Sequence, residues 1–187
     1  MLMTTIDLLR VVLMYGVVPL WLIAGVADYA CHRAARLERT SGTKESVLHL
    51  VQLAEVGGLL LAALFLQINA GVLIFMLAAF LAHQATAVWD VHYANQARRI
   101  SPTEQHVHGV MEMLPATALM MVAIMHWPAV LSLFGRGPAS FAPALKHTPL
   151  PAWYLASVII AAAAVTALYV EELLRTQRGP RTITRRA

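Results

Sequence analysis

Five long apolar stretches, at 11–30, 46–70, 71–94, 104–127 and 152–170, dominate the 187-residue sequence. Each is close to the roughly 20 residues that an α-helix needs to cross about 30 Å of hydrocarbon. Lipid leaves no partner for a backbone polar group, so such stretches must satisfy their hydrogen bonds internally. They predict an all-α, polytopic membrane protein with five transmembrane helices. Composition agrees: 59% of residues are hydrophobic and 13% charged, too little charge to cover a water-soluble domain of this length. Arg10 precedes an apolar run ending in Ala24-Gly25-Val26-Ala27, as in a cleaved leader. The length of the run and the basic loop after it predict a retained span instead.

The placement of positive charge sets the expected topology. Arg33, Arg36, Arg39 and Lys44 lie between the first and second spans, and Arg98 and Arg99 between the third and fourth. Arg175, Arg178, Arg181, Arg185 and Arg186 follow the fifth. Alternating spans put these segments on one side and leave Arg10, Arg136 and Lys146 on the other. By the positive-inside rule the basic side is the cytoplasm, which predicts a bacterial inner (cytoplasmic) membrane protein with its N-terminus outside and its C-terminus inside. Because the charge follows topology, no nucleic-acid partner is expected, and the bilayer is the expected surrounding. The arginine-rich tail is expected to be disordered and to meet anionic lipid heads.

Punctuation divides the chain further. Gln67-Ile68-Asn69-Ala70-Gly71 predicts a tight turn joining spans two and three, and Ser101-Pro102-Thr103-Glu104 has the form of a capping box opening span four. Pro19 and Pro115 fall inside spans, where they would bend the helices. Pro128 to Pro151 reads as an extracytoplasmic loop with a short helix near Val130 to Phe134. The expected parts are a four-helix transmembrane metal-binding bundle at 1–127, that loop at 128–151, and a fifth helix with a basic cytoplasmic tail at 152–187. The fifth span has no ionisable group except tyrosine before Glu171 and Glu172, so it reads as a packing helix outside the site.

Ionisable residues within the first four spans gather toward one face. Span one ends with Asp28 and His32, and span two opens with Glu45 and His49, then Gln52 and Glu55. Span three carries His83, Asp90 and His92, while span four opens with Glu104, His106, His108 and Glu112. Antiparallel neighbours bring these ends to a common depth. At about 100° per residue, positions four or seven apart share a helix face. Asp28 with His32, Glu45 with His49, His83 with Asp90, and Glu104 with His108 and Glu112 each make such a stripe. The order Asp28, Glu45, His49 followed by Asp90, Glu104, His108 hints at a parallel internal repeat with a site between its halves.

An isolated charge at the bilayer centre costs about 2.5–3.5 kcal/mol on insertion scales. Divalent cations offset that cost, and carboxylate and neutral imidazole are their ordinary ligands. Cys31 is the sole cysteine, so all-thiolate centres within one chain are excluded. The expected ligands of two metal ions are Asp28, His32, His49, Glu55, His83, Asp90, His108 and Glu112, with Glu55 and Glu112 also in acid–base or relay roles. Glu45, Glu104, His92 and His106 rank behind them, since a cap or a position at the headgroup level explains each. His126 and His147 lie toward the other side.

This pattern resembles, in general character, membrane di-iron hydroxylases and desaturases, which hold metals with histidines at the cytosolic ends of transmembrane helices. Their adjacent-histidine boxes are absent, and the richer carboxylate content is nearer the ferritin-like di-iron arrangement. The segments Glu38 to Gly42, Asp90 to Ala94 and Glu104 to His108 also look like those of a group of small bacterial polytopic membrane proteins of no assigned function. The di-iron resemblance implies an oxidoreductase that activates oxygen against a lipid or other apolar substrate, with an external electron donor. A dinuclear zinc hydrolase or lipid-modifying enzyme is the alternative, manganese is compatible with the same ligands, and a haem protein or metal carrier stands behind both. An oligomer is compatible with all of these.

Overall fold

The computed structural model describes residues 3–179, so Arg181, Arg185 and Arg186 of the basic tail, and the expectations placed on that tail, lie outside the described residues. Helix α1 (Thr5–Val12) passes through a π turn (Leu13–Val17) into α2 (Val18–Ala35). Then come α3 (Thr43–Phe65), α4 (Ala70–Ala97), α5 (Pro102–Met125), the short α6 (Trp127–Ser132) and α7 (Ala152–Arg178). Five of the helical units are long and apolar enough to cross a membrane. Large apolar side chains on their outer faces, such as Leu81, Val88 and Ile160, stand exposed, which suits a lipid surround.

Local chemistry sets the helix ends. Ser101 accepts from the Glu104 N–H while the Glu104 carboxylate reaches back to the Ser101 N–H, so the expected capping box opens α5. The Asn69 side chain accepts from the Val72 N–H and starts α4. Arg36 closes α2 in the left-handed region at φ 52°, and Leu37 is fully buried in the short connection to α3. The short helix α6 begins ahead of the expected Val130 to Phe134, since Pro128 fits a first-turn position where no N–H is needed.

Helix order in space differs from helix order in the chain. Helix α2 packs on α5, α5 on α4, α4 on α3, α3 on α7, and α7 back on α2. The five helices therefore form a closed ring, with the fifth inserted between the first two spans. This corrects the expectation that span five stands outside a four-helix bundle. Gly25 lies at this contact: a Cβ there would lie 3.3 Å from Val165 Cγ1, so the α2 backbone comes close to α7. At the basic end, Arg33 pairs with Glu171 and Arg175 with Glu38, fastening α7 to α2 and its following turn.

At the opposite end, the stretch after α6 lies over the turn between α3 and α4. Gln67 N–H donates to Ala144 O, Lys146 N–H to Phe65 O and Gly71 N–H to Ser140 O. Gly71 is required by contact, because a Cβ would fall 2.4 Å from the Phe141 carbonyl oxygen. Beneath, Val56, Leu59, Val72, Leu73, Met76 and Val122 form the main apolar core.

Candidate metal centre

At the basic end of the ring, the polar residues of four spans converge, joined by two from the fifth. His32 on α2 and His49 on α3 stack with ring centroids 4.2 Å apart and planes inclined by 8°. Between these elements sits Glu172 of α7, fully buried. Its Oε2 lies 2.9 Å from His32 Nδ1 and its Oε1 lies 2.8 Å from His49 Nδ1. One carboxylate thus accepts from both imidazoles, turning both Nε2 atoms the other way.

Those Nε2 atoms face carboxylates. His32 Nε2 is 3.4 Å from Asp28 Oδ2, His49 Nε2 is 3.2 Å from Asp90 Oδ2, and His108 Nε2 is 2.9 Å from Asp28 Oδ1. Yet these approaches are not aligned as hydrogen bonds, and His32 Nε2, His49 Nε2, Asp28 Oδ1 and Asp90 Oδ1 are buried with no well-directed donor or acceptor. Metal–ligand bonds of about 2.0–2.2 Å place neighbouring donors of one ion roughly 3 to 3.5 Å apart. The separations here have that size. Asp28, His32 and His108 offer one group of atoms that could hold a metal ion, and His32, Glu45 and His49 a second.

Supporting contacts fix this array. Tyr169, one turn before Glu172 on α7, donates its hydroxyl to Asp28 Oδ2 at 2.9 Å. Gln52 donates from Nε2 to Asp90 Oδ2 at 3.2 Å. Arg98, just beyond α4, lies between Glu45 and Glu104: Nη1 donates to Glu104 Oε2 at 3.0 Å and Nε to Glu45 Oε2 at 3.3 Å. Nη2 reaches the remaining oxygen of each carboxylate. Burial opposes the Arg98 charge, but the hydrogen bonds and charges of Glu104 and Glu45 hold its pKa above the ordinary guanidinium value. Glu45 and Glu104 are not spare surface acids: both are fully buried and neutralised in part by this one cation.

The expected site residues are distributed unequally. Asp28, His32, His49, Asp90 and His108 come together in the cluster. His83 and Glu112 line the same cavity, of about 50 Å³, as Asp28, His49, Asp90 and His108, with Trp21, Leu53 and Val56 as part of its apolar wall. Both His83 ring nitrogens are buried without a hydrogen bond. Glu55 stands apart from that cavity, accepting from the Thr86 hydroxyl at 3.0 Å, with its Oε2 3.9 Å from His83 Nδ1. His92 and His106 are exposed, bonded to Gln96 and to the Pro102 carbonyl. Sequence reasoning missed Glu172, Tyr169 and Arg98; the signal for the first two was the three-residue spacing that puts them on one face of α7.

The half-sites also cross the expected repeat. Asp28 meets His108 of the second hairpin and Asp90 meets His49 of the first, while Glu45 and Glu104 share Arg98. The two-fold correspondence ends at His32, since the equivalent position four residues after Asp90 is the buried Ala94. Comparison with known protein families, with curated proteins and with solved structures finds no match to this chain.

Proposed function

We propose that this chain is a membrane-embedded oxidoreductase in which the buried histidine–carboxylate cluster holds two divalent metal ions, iron foremost. The observation that carries the metal reading is Glu172 bound to both His32 and His49. A metal-ligating histidine characteristically gives its second ring N–H to a carboxylate, which fixes tautomer and ring direction. Here one carboxylate does so for two imidazoles whose Nε2 atoms face the Asp28 and Asp90 carboxylates at 3.4 and 3.2 Å without an aligned hydrogen bond. Charge supports a pair of ions. Asp28, Glu45, Asp90, Glu104 and Glu172 are the buried carboxylates among the described residues, and Arg98 is the permanent cation of the cluster. Fully ionised, they leave an excess of four negative charges, which two divalent ions neutralise while the imidazoles remain neutral ligands.

In this scheme His32, His108 and Asp28 hold one ion, and His49 and Asp90 the other, with Glu45 beside it. Such a pair, when bound, supplies oxygen activation. The net change is a C–H bond of an apolar substrate replaced by C–OH, with the second oxygen atom leaving as water. Two electrons and two protons come from an external reductant. Glu112, half-buried on the cavity wall, is placed to hold a proton at its carboxylate, and His83 lies on the same cavity. Trp21, Leu53 and Val56 give it part of an apolar wall. The basic end of the ring, and therefore the site, is assigned to the cytoplasmic side of the inner membrane by the positive-inside rule.

Elemental analysis of protein purified aerobically tests this reading. Iron approaching two equivalents per chain is expected. Two equivalents of zinc would replace redox chemistry by the hydrolytic alternative, in which zinc lowers the pKa of bound water. Protein that retains no metal would overturn it.

A further inference from the structure

A cavity of about 800 Å³ lies away from the metal cluster, toward the opposite end of the ring. Its wall is apolar, formed by residues from α3, α4, α5 and α7 and by the π turn. π turns insert one residue into a helix and occur often at functional sites; here Leu13, Met14, Tyr15 and Val17 of that turn face the cavity. Pro115, which cannot supply the N–H of an α-helical bond, faces it from α5. The rim differs in character: Arg10, His126, Lys146 and His147 line it, and among the described residues no aspartate or glutamate does.

These cations are incompletely neutralised. Arg10 has one acidic neighbour, Asp7, at 3.5 Å, and both side chains are about half exposed. Lys146 donates from Nζ to the Leu66 carbonyl at 2.7 Å, which leaves two of its three donors for another partner. Burial lowers the Lys146 pKa and the Arg10 charge adds to the effect, while burial followed by Lys146 and Arg10 lowers that of His126. Lys146 and His126 therefore both feel the Arg10 charge across the rim. At the inner end, Trp21 and Val56 belong both to this cavity and to the wall of the metal-site cavity. Eleven residues of helix separate Arg10 from Trp21, roughly 16 Å at 1.5 Å per residue, and seven more, about 10 Å, lead to Asp28.

We propose that this cavity binds a single-chain amphiphile with an anionic head, the head held between Arg10 and Lys146 and the chain directed past Trp21 and Val56 toward the metal cluster. Charge complementarity selects the head, and the long apolar wall selects the chain. That this amphiphile is the substrate rests on the oxidoreductase reading above; that it binds does not. Carboxylate and phosphate heads share the required chemistry, so the test separates them.

The full-length protein in detergent is titrated with palmitate, hexadecyl phosphate and hexadecanol, which share a chain and differ in the head. At least one anion is expected to bind roughly tenfold or more tightly than the alcohol, the effect of one charge-assisted contact. The tighter anion identifies the head. The double variant Arg10→Ala with Lys146→Ala should lose that preference and keep alcohol binding, while Leu59→Trp, which fills the wall, should weaken all three ligands. Equal binding of anions and alcohol by the native protein, or an unchanged preference in the double variant, would overturn the proposal. Metal content is measured on the same samples: binding that persists in metal-free protein keeps this inference and removes only the oxidoreductase reading.

Discussion

Replacing Glu172 by glutamine is expected to lower metal affinity by roughly 10- to 100-fold, the usual loss when a carboxylate behind ligating histidines is removed. The native carboxylate accepts from His32 Nδ1 at 2.9 Å and from His49 Nδ1 at 2.8 Å. A glutamine amide has one acceptor oxygen and one donor group, so only one of the two imidazoles keeps its bond. The other must rotate, which turns its Nε2 away from the cluster, or change tautomer, which puts a proton on Nε2 where a metal would bind. Competition against a chelator of known affinity measures the loss. The Glu171→Gln variant is the control, because Glu171 sits beside it on α7 but bonds Tyr29 and Arg33 rather than histidine. Equal affinities in native protein and the Glu172 variant would remove the argument for imidazoles oriented as ligands.

Arg98→Met is expected to destabilise the fold by about 3–5 kcal/mol, the range seen when one member of a buried ionic group is deleted. The side chain is 3% exposed, and its two partners Glu45 and Glu104 are 1% and 2% exposed. Without the guanidinium, two carboxylates face each other in a site that water does not reach. Thermal unfolding in detergent should show a large fall for the single variant. The triple variant Arg98→Met, Glu45→Gln, Glu104→Gln should recover much of it, since replacing a whole buried ionic group is far less costly than breaking it. A single variant as stable as the native protein would mean that Arg98 is the surface charge its sequence position suggests.

These two residues also mark where the sequence stopped being informative. Span length and hydropathy are local properties, so the five helices were legible, as was the start of α5 from Ser101 and Glu104. Helix phase was legible too: Asp28 and His32, four apart, do meet, at 3.4 Å. Which helix packs beside which is not local. Sequence neighbours are the default spatial neighbours, and that default set α7 aside. Gly25 lies opposite Val165 where α7 meets α2, and the position of a lone glycine in an apolar span gives no sign of which helix will approach it. Once α7 enters the ring, Tyr169 and Glu172 come with it. Arg98 was hidden differently, because the positive-inside rule explains an arginine after a span without any buried partner. Glu55 lies differently from the other expected residues of α3: its distance around the helix from His49 leaves it beside Thr86 and His83.

The stacked imidazoles bear most directly on the central claim. With ring centroids 4.2 Å apart, planes inclined by only 8° and both Nε2 atoms directed away from Glu172, His32 and His49 would hold neighbouring ions, as the paired ligands of two-metal sites do. X-ray absorption at the edge of the retained metal measures this. Two ions in the cluster predict nitrogen and oxygen ligands at about 2.0–2.2 Å, imidazole scattering, and a metal–metal vector near 3.5–4 Å. A sulfur shell, a single ion without imidazole, or no retained metal would contradict it.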